Sequence, residues 1–162
     1  MGETWYNSCG HLMKDKMIQV QKQMISYLGG YMLKEGIKAT KELVVTKELS
    51  AQNMGSGLLP VYATPAMIAF MENTAFESVA QYLEEGCGTV GTALNVKHVA
   101  ATPVGMKVIC ETELIKVDGR ALTFSVKAYD ECGLIGEGVH ERFIITEDKF
   151  MAKTNAKLEK EK

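Results

Sequence analysis

A chain of 162 residues with 46% hydrophobic and 23% charged residues has the make-up of one globular domain with an ordinary core, and leaves no room for a second. Its 18 basic residues stand against 20 acidic ones, and only Arg120 and Arg142 are arginines, so it lacks the basic stripe that a nucleic-acid backbone requires. The apolar runs fall well short of the roughly 18 residues of a spanning helix, and Lys14, Asp15 and Lys16 interrupt the first of them, which argues against a membrane span or a secretory signal.

The four cysteines, Cys9, Cys87, Cys110 and Cys132, form no C-x-x-C pair. Free thiols in a reducing cytoplasm are therefore expected, with no metal site and no bound cofactor. Between Met13 and Met32 the apolar residues Met13, Met17, Val20, Met24, Tyr27, Leu28 and Met32 recur at spacings of three and four, which predicts an amphipathic helix ending near Gly29-Gly30. Residues 1–35 read as an N-terminal extension carrying that helix, 36–153 as the main domain, and 154–162 as a charged tail.

Residues 41–50 (KELVVTKELS) predict a strand, and Asn53 to Gly57 a loop. A long helix is expected next, with Thr64 as N-cap before Pro65 and an end at Leu83, before Glu84-Glu85-Gly86. The hydrophobic period then changes from 3.6 to 2. Four strands follow, at about 89–100, 105–117, 120–130 and 134–147, with Asp118-Gly119 as a hairpin turn between two of them. In the third, Leu122, Phe124, Val126 and Ala128 share one face, so one side of the sheet is covered and the other wet. A strand, one long helix and a four-stranded antiparallel meander make an α+β architecture in which the helix covers one face of a curved sheet.

Two ionisable residues interrupt the apolar pattern. On the helical wheel Glu72 falls within the arc of Ile68, Ala75, Phe76, Val79 and Leu83. An unpaired buried carboxylate costs several kcal/mol, so Glu72 is either at a rim, paired, or functional. On the strand after the helix, Thr92, Leu94, Val96, His98 and Ala100 share a face, which aims His98 toward the same seam. A lone imidazole there can be a satisfied core group. An acid and an imidazole together in a partly dry seam suit general acid-base chemistry. Gly91 marks either a bulge or a close approach of backbone or ligand. Arg142 lies on the last strand with His140, Gly136 and Gly138, and suits a carboxylate, a phosphate or a surface ion pair. A Walker loop, a dinucleotide fingerprint and a GxSxG elbow are absent from the sequence.

The segments ATPAMIAFMENTA (63–75), GTALNVKHVAATPVG (91–105) and IGEGVHERFII (135–145) resemble the fluoroacetyl-CoA thioesterase-like family of the hotdog fold, over about residues 36–153. The resemblance implies hydrolysis of an acyl-CoA thioester by a homodimer with sites at the subunit interface. It matches the family's catalytic Thr, Glu and His to Thr64, Glu72 and His98, its active-site Gly to Gly91, and its late-strand Arg to Arg142 as a substrate-binding residue. The family member that discriminates fluoroacetyl-CoA has aromatic residues in a lid before its Thr. Here that stretch reads Met54-Gly55-Ser56-Gly57-Leu58-Leu59, so fluoroacetate selectivity is not implied. The expected function is a cytoplasmic thioesterase for short acyl-CoA, dimeric or larger. An enoyl-thioester hydratase or dehydratase, or a non-catalytic acyl-CoA-binding module, would use the same fold.

Overall fold

The computed structural model describes residues 33–158. Strand β1 (Lys38–Val44) opens the domain, helix α1 (Thr64–Ala80) follows, and then come β2 (Cys87–His98), β3 (Lys107–Asp118), β4 (Ala121–Asp130) and β5 (Gly133–Thr146). A second helix, α2 (Glu147–Asn155), closes the described chain. The five strands form one antiparallel sheet in the order β1-β3-β4-β5-β2, so that among the described residues β2 is an edge strand that pairs with β5 alone. The predicted α+β hotdog arrangement is the one found: α1 packs on one face of a curved sheet. Among the described residues, no helix is long and apolar enough to cross a membrane.

The meander follows the sequence pattern closely. Leu122, Phe124, Val126 and Ala128 are all buried and form the centre of the core with Val108, Cys110 and Leu114 from β3. Each turn that needs a left-handed backbone holds a glycine, and Gly119, between β3 and β4, has φ of 59°. Gly138 has a different role. A Cβ there would overlap the Asn95 carbonyl, so the absent side chain lets β2 press closely onto β5.

Other expectations are corrected. The strand predicted at 41–50 begins earlier and stops at Val44, and Lys47–Leu49 form a short 3-10 turn. Helix α1 is N-capped by Ala63, not Thr64, with Pro65 in its first turn and its end at Ala80. Helix α2 is not foreseen in the sequence, where the last strand ends at Glu147, residues 148–153 close the main domain with no element, and the tail begins at Thr154. Its signal was present: Glu147 and Asp148 in the first turn and Lys153 in the last complement the helix dipole. The amphipathic helix expected at 13–32 lies outside the described residues.

The buried face of α1 is also rotated from the predicted arc. It consists of Ala66, Met67, Phe70, Met71, Thr74, Ala75, Ser78 and Val79. Thr74 and Ser78 fit there because each hydroxyl donates back to the helix, to the Phe70 and Ala75 carbonyls, leaving no orphaned donor. Ile68, Glu72 and Phe76 lie on the flank beside it, and Phe76 is 39% exposed.

Candidate active site

Two clusters lie where α1 meets β2, one at each end of the strand. At the start of α1, Thr64 is the first helical residue, just after the N-cap Ala63. Its Oγ1 lies 2.8 Å from His98 Nδ1 at the far end of β2. Nε2 of His98 is buried and makes no hydrogen bond within the described chain. Thr64 and His98 help line a shallow pocket of about 350 Å³, bounded also by Ser56 from the loop before the helix. At this distance the hydroxyl donates to Nδ1 where that nitrogen carries no hydrogen and accepts from it where it does, so the tautomer sets the direction of the bond.

Two turns further along α1, Glu72 reaches the beginning of β2. Its side chain is 36% exposed, and Oε1 lies 3.8 Å from His140 Nε2 and 3.9 Å from Arg142 Nη1. A Cβ at Gly91 would stand 2.5 Å from that same oxygen, closer than any real side chain could sit. Glycine here leaves room for the carboxylate against the strand, so the close approach foreseen for Gly91 involves a side chain of the same protein. Gly91, Asn73, Phe76 and Arg142 surround the carboxylate in a shallow depression of about 260 Å³.

The register of β2 decides which face each residue takes. Gly91 pairs with Arg142 and Ala93 with Glu141, so Thr92 is an extra residue without a partner on β5. Under strict alternation Gly91 and His98 would point to opposite faces. The bulge resets the phase, and both face α1. Gly91 is thus both a bulge residue and a close-approach residue, which were separate alternatives in the sequence. The covered face expected for β2 is largely open: Thr92, Leu94 and Ala100 are exposed, while Val96 and His98 are half-buried.

Arg142 is buried, with its guanidinium turned inward. Nε donates to Thr89 Oγ1 at 2.8 Å, Nη2 to the Thr89 carbonyl at 2.7 Å, and Nη1 to His140 Nε2 at 3.0 Å. Its carbon lies 5.8 Å from the centre of the Phe76 ring. Burial lowers the Arg142 pKa and Glu72 opposes that shift. Sequence reasoning singled out neither Thr89 nor Phe76, and it named His140 only as a neighbour of Arg142. The i, i+2 spacing of His140 and Arg142 on one strand face was the available signal.

Both imidazoles are held below their ordinary value of 6.5. For His98 desolvation dominates, opposed by the Ala100 backbone. For His140 desolvation again leads, with the Ala93 backbone raising, Arg142 lowering and Glu72 raising the value. Both are neutral at pH 7. In the unfolded chain these rings take up protons near 6.5 that the folded chain refuses, so the unfolded state binds more protons in that window. Stability is therefore fully present above about 6.5 and is lost as pH falls below it. Thermal melts at roughly pH 7.5 and 5.5 should show the lower Tm at the acid value. The exposed carboxylates Glu48 and Glu77, held low by Thr46 and by Lys41 respectively, act only below 4.5, outside this interval. A Tm constant between the two pH values would contradict the burial of the neutral rings.

Comparison with known proteins places this chain among thioesterases. The profile of a family described as fluoroacetyl-CoA-specific thioesterase matches residues 45–148. The fluoroacetyl-CoA thioesterase of Streptantibioticus cattleyicolor is 45% identical over 97 residues, which span 60% of this chain and 70% of that protein. A solved structure of the fluoroacetyl-CoA thioesterase FlK superposes with a TM-score of 0.75 at 37% identity, covering 78% of this chain and 98% of that one. A hot-dog-like protein from Thermanaerovibrio acidaminovorans shares the fold, with a TM-score of 0.71 at 23% identity over 77% of this chain and 93% of its own.

Proposed function

Since the chain belongs to the fluoroacetyl-CoA-specific thioesterase family, we propose that it hydrolyses short-chain acyl-CoA to free acid and CoA, at sites shared between two copies of itself. The observation that carries this reading is the Glu72 carboxylate seated against Gly91, where the missing side chain leaves space beside an acid. The thioester carbonyl lies at Gly91. Backbone donors at the bulge, where Thr92 has no ladder partner, stabilise the oxyanion. Glu72 takes a proton from the water that attacks the carbonyl carbon, or attacks that carbon itself. On the general-base route the proton taken up by Glu72 passes to the neutral His98 imidazole, and from it to the thiolate that leaves as the carbon-sulfur bond breaks. On the nucleophilic route the thiolate leaves as a mixed anhydride forms on Glu72, and water then hydrolyses that anhydride to the free acid and supplies the proton. Thr64 orients the imidazole through its 2.8 Å contact. Arg142 lies close to Glu72 and the substrate as a fixed positive charge.

Within one chain the two clusters are far apart. Eight residues of α1 separate Thr64 from Glu72 by about 12 Å along the axis, and seven residues of β2 separate Gly91 from His98 by about 23 Å. The edge position of β2 supplies a solution. Antiparallel pairing of two β2 edges about a twofold axis through Asn95, with Thr92 left out on each, sets Gly91 of one chain opposite the partner's His98, both facing the helices. The same pairing covers Leu94, 40% exposed, and brings a second chain over the flank that holds Ile68 and Phe76. This favours a homodimer with two equivalent sites. A cytoplasmic location fits the unpaired thiols of Cys87, Cys110 and Cys132.

The experiment is release of free thiol from purified protein over a panel of acyl-CoA substrates, which hydration of an enoyl thioester or simple binding would not produce. Acetyl-CoA and fluoroacetyl-CoA should have kcat/KM values within about tenfold, because each decade of discrimination needs a contact worth about 1.4 kcal/mol. Residues 54–59 of the segment before α1 offer exposed Leu58 and Leu59 and no aromatic ring. A preference of several thousandfold would mean that this loop closes on the substrate in a way its composition does not indicate.

A further inference from the structure

His140 is fully buried, and burying an imidazole costs free energy unless both ring nitrogens are satisfied. Both are. Nδ1 lies 3.0 Å from the Ala93 carbonyl, which can only accept, so Nδ1 carries the hydrogen. Nε2 lies 3.0 Å from Arg142 Nη1, which can only donate, so Nε2 presents its lone pair. Two independent partners thus select one neutral tautomer. The groups around the ring are Glu72 from α1, Ala93 from β2, Phe124 from β4 and Arg142 from β5, and of these Glu72 and Arg142 are charged.

The consequence falls on Glu72. A guanidinium free to move beside a carboxylate closes to about 2.8 Å and engages it with two parallel hydrogen bonds. Here Nε and Nη2 are tied to Thr89 and Nη1 to His140, and the shortest approach of Nη1 to Glu72 Oε1 is 3.9 Å. We propose that His140 is a positioning residue: its Nε2 accepts a hydrogen from Arg142 and so holds the guanidinium beside Glu72 and not on it, which leaves the carboxylate free to act on substrate. This rests on the reading of Glu72 as base or nucleophile and adds a residue to it. The ring is also packed against the glycine, since a Cβ at Gly91 would stand 3.2 Å from His140 Cε1. The strand, the imidazole and the guanidinium therefore fix one another.

The tautomer is tested on the native protein by nitrogen-15 NMR of the imidazoles, with the His140 signals assigned by substitution. Nδ1 should appear protonated and Nε2 unprotonated at about pH 7.5. The function is tested with two replacements that each keep one half of the ring's bonding. His140→Asn retains a donor near Ala93 but its shorter side chain brings no acceptor to the Nε2 position beside Arg142, and its kcat should fall about 100-fold with KM little changed, the scale expected for a catalytic group displaced by an ångström. His140→Gln places a carbonyl near the Nε2 position and should recover at least tenfold of that loss. In the double variant His140→Asn, Arg142→Gln the losses should not add, because the first acts through the second. An Nε2-protonated ring, or equal loss of kcat in the Asn and Gln variants while Glu72→Gln is inactive, would overturn the inference. Failure of the underlying reading shows separately, as full activity in Glu72→Gln.

Discussion

Replacing Glu72 by Gln should lower the rate of thiol release by about 100-fold or more with the fold retained, the usual loss when a general base is removed. Glutamine keeps the size of the side chain and can still fit against Gly91, but it neither takes a proton at neutral pH nor attacks a carbonyl. The structure explains why the fold should survive. Arg142 keeps its two bonds to Thr89 and its bond to His140, and the Glu72 carboxylate is 36% exposed, so the ion pair lost, with Arg142 at 3.9 Å, is long and partly screened by water. Far-ultraviolet circular dichroism and a thermal melt check the fold, and a thiol-trapping assay with acetyl-CoA checks the rate. Activity within threefold of the native enzyme would remove Glu72 from the mechanism.

Mixing two inactive proteins, Thr64→Val and Glu72→Gln, should restore activity to about a quarter of the native level. Equal amounts exchanging at random make half the dimers mixed, and each mixed dimer has one site with neither substitution and one with both. The basis is the distribution of the two clusters. Thr64 touches His98 at one end of β2, and Glu72 meets Gly91 at the other, while the open edge of β2 allows a second copy to superimpose the two ends. Valine removes the hydroxyl from Thr64 while preserving its branched shape, so the partner in that experiment loses chemistry and not packing. Subunit exchange is verified by native mass spectrometry. A mixture that exchanges fully and stays as inactive as its parents would mean that each chain works alone.

The meander was legible because β4 buries Leu122, Phe124, Val126 and Ala128 against one helix and leaves its other face wet, and a period of two records that difference directly. The long helix was legible from its length and from Pro65, but its buried face was not. Thr74 and Ser78 look polar in sequence and are buried because their hydroxyls bond to the helix itself. Glu72, Gly91, His98 and Arg142 stood out as residues at odds with their surroundings, and the resemblance between segments added Thr64. What the sequence could not contain was the phase of β2. A single unpaired residue, Thr92, turns Gly91 onto the face of His98, and a bulge depends on how two strands register, which no local pattern encodes. The inward turn of Arg142 is decided in the same way, because Thr89, which takes two of its hydrogen bonds, lies on β2 and meets it only when β2 lies along β5. Composition and periodicity determined which elements form and which residues are anomalous. Pairing between distant segments decided which anomalies meet, since hydrogen-bond geometry fixes side-chain direction only after the sheet has closed.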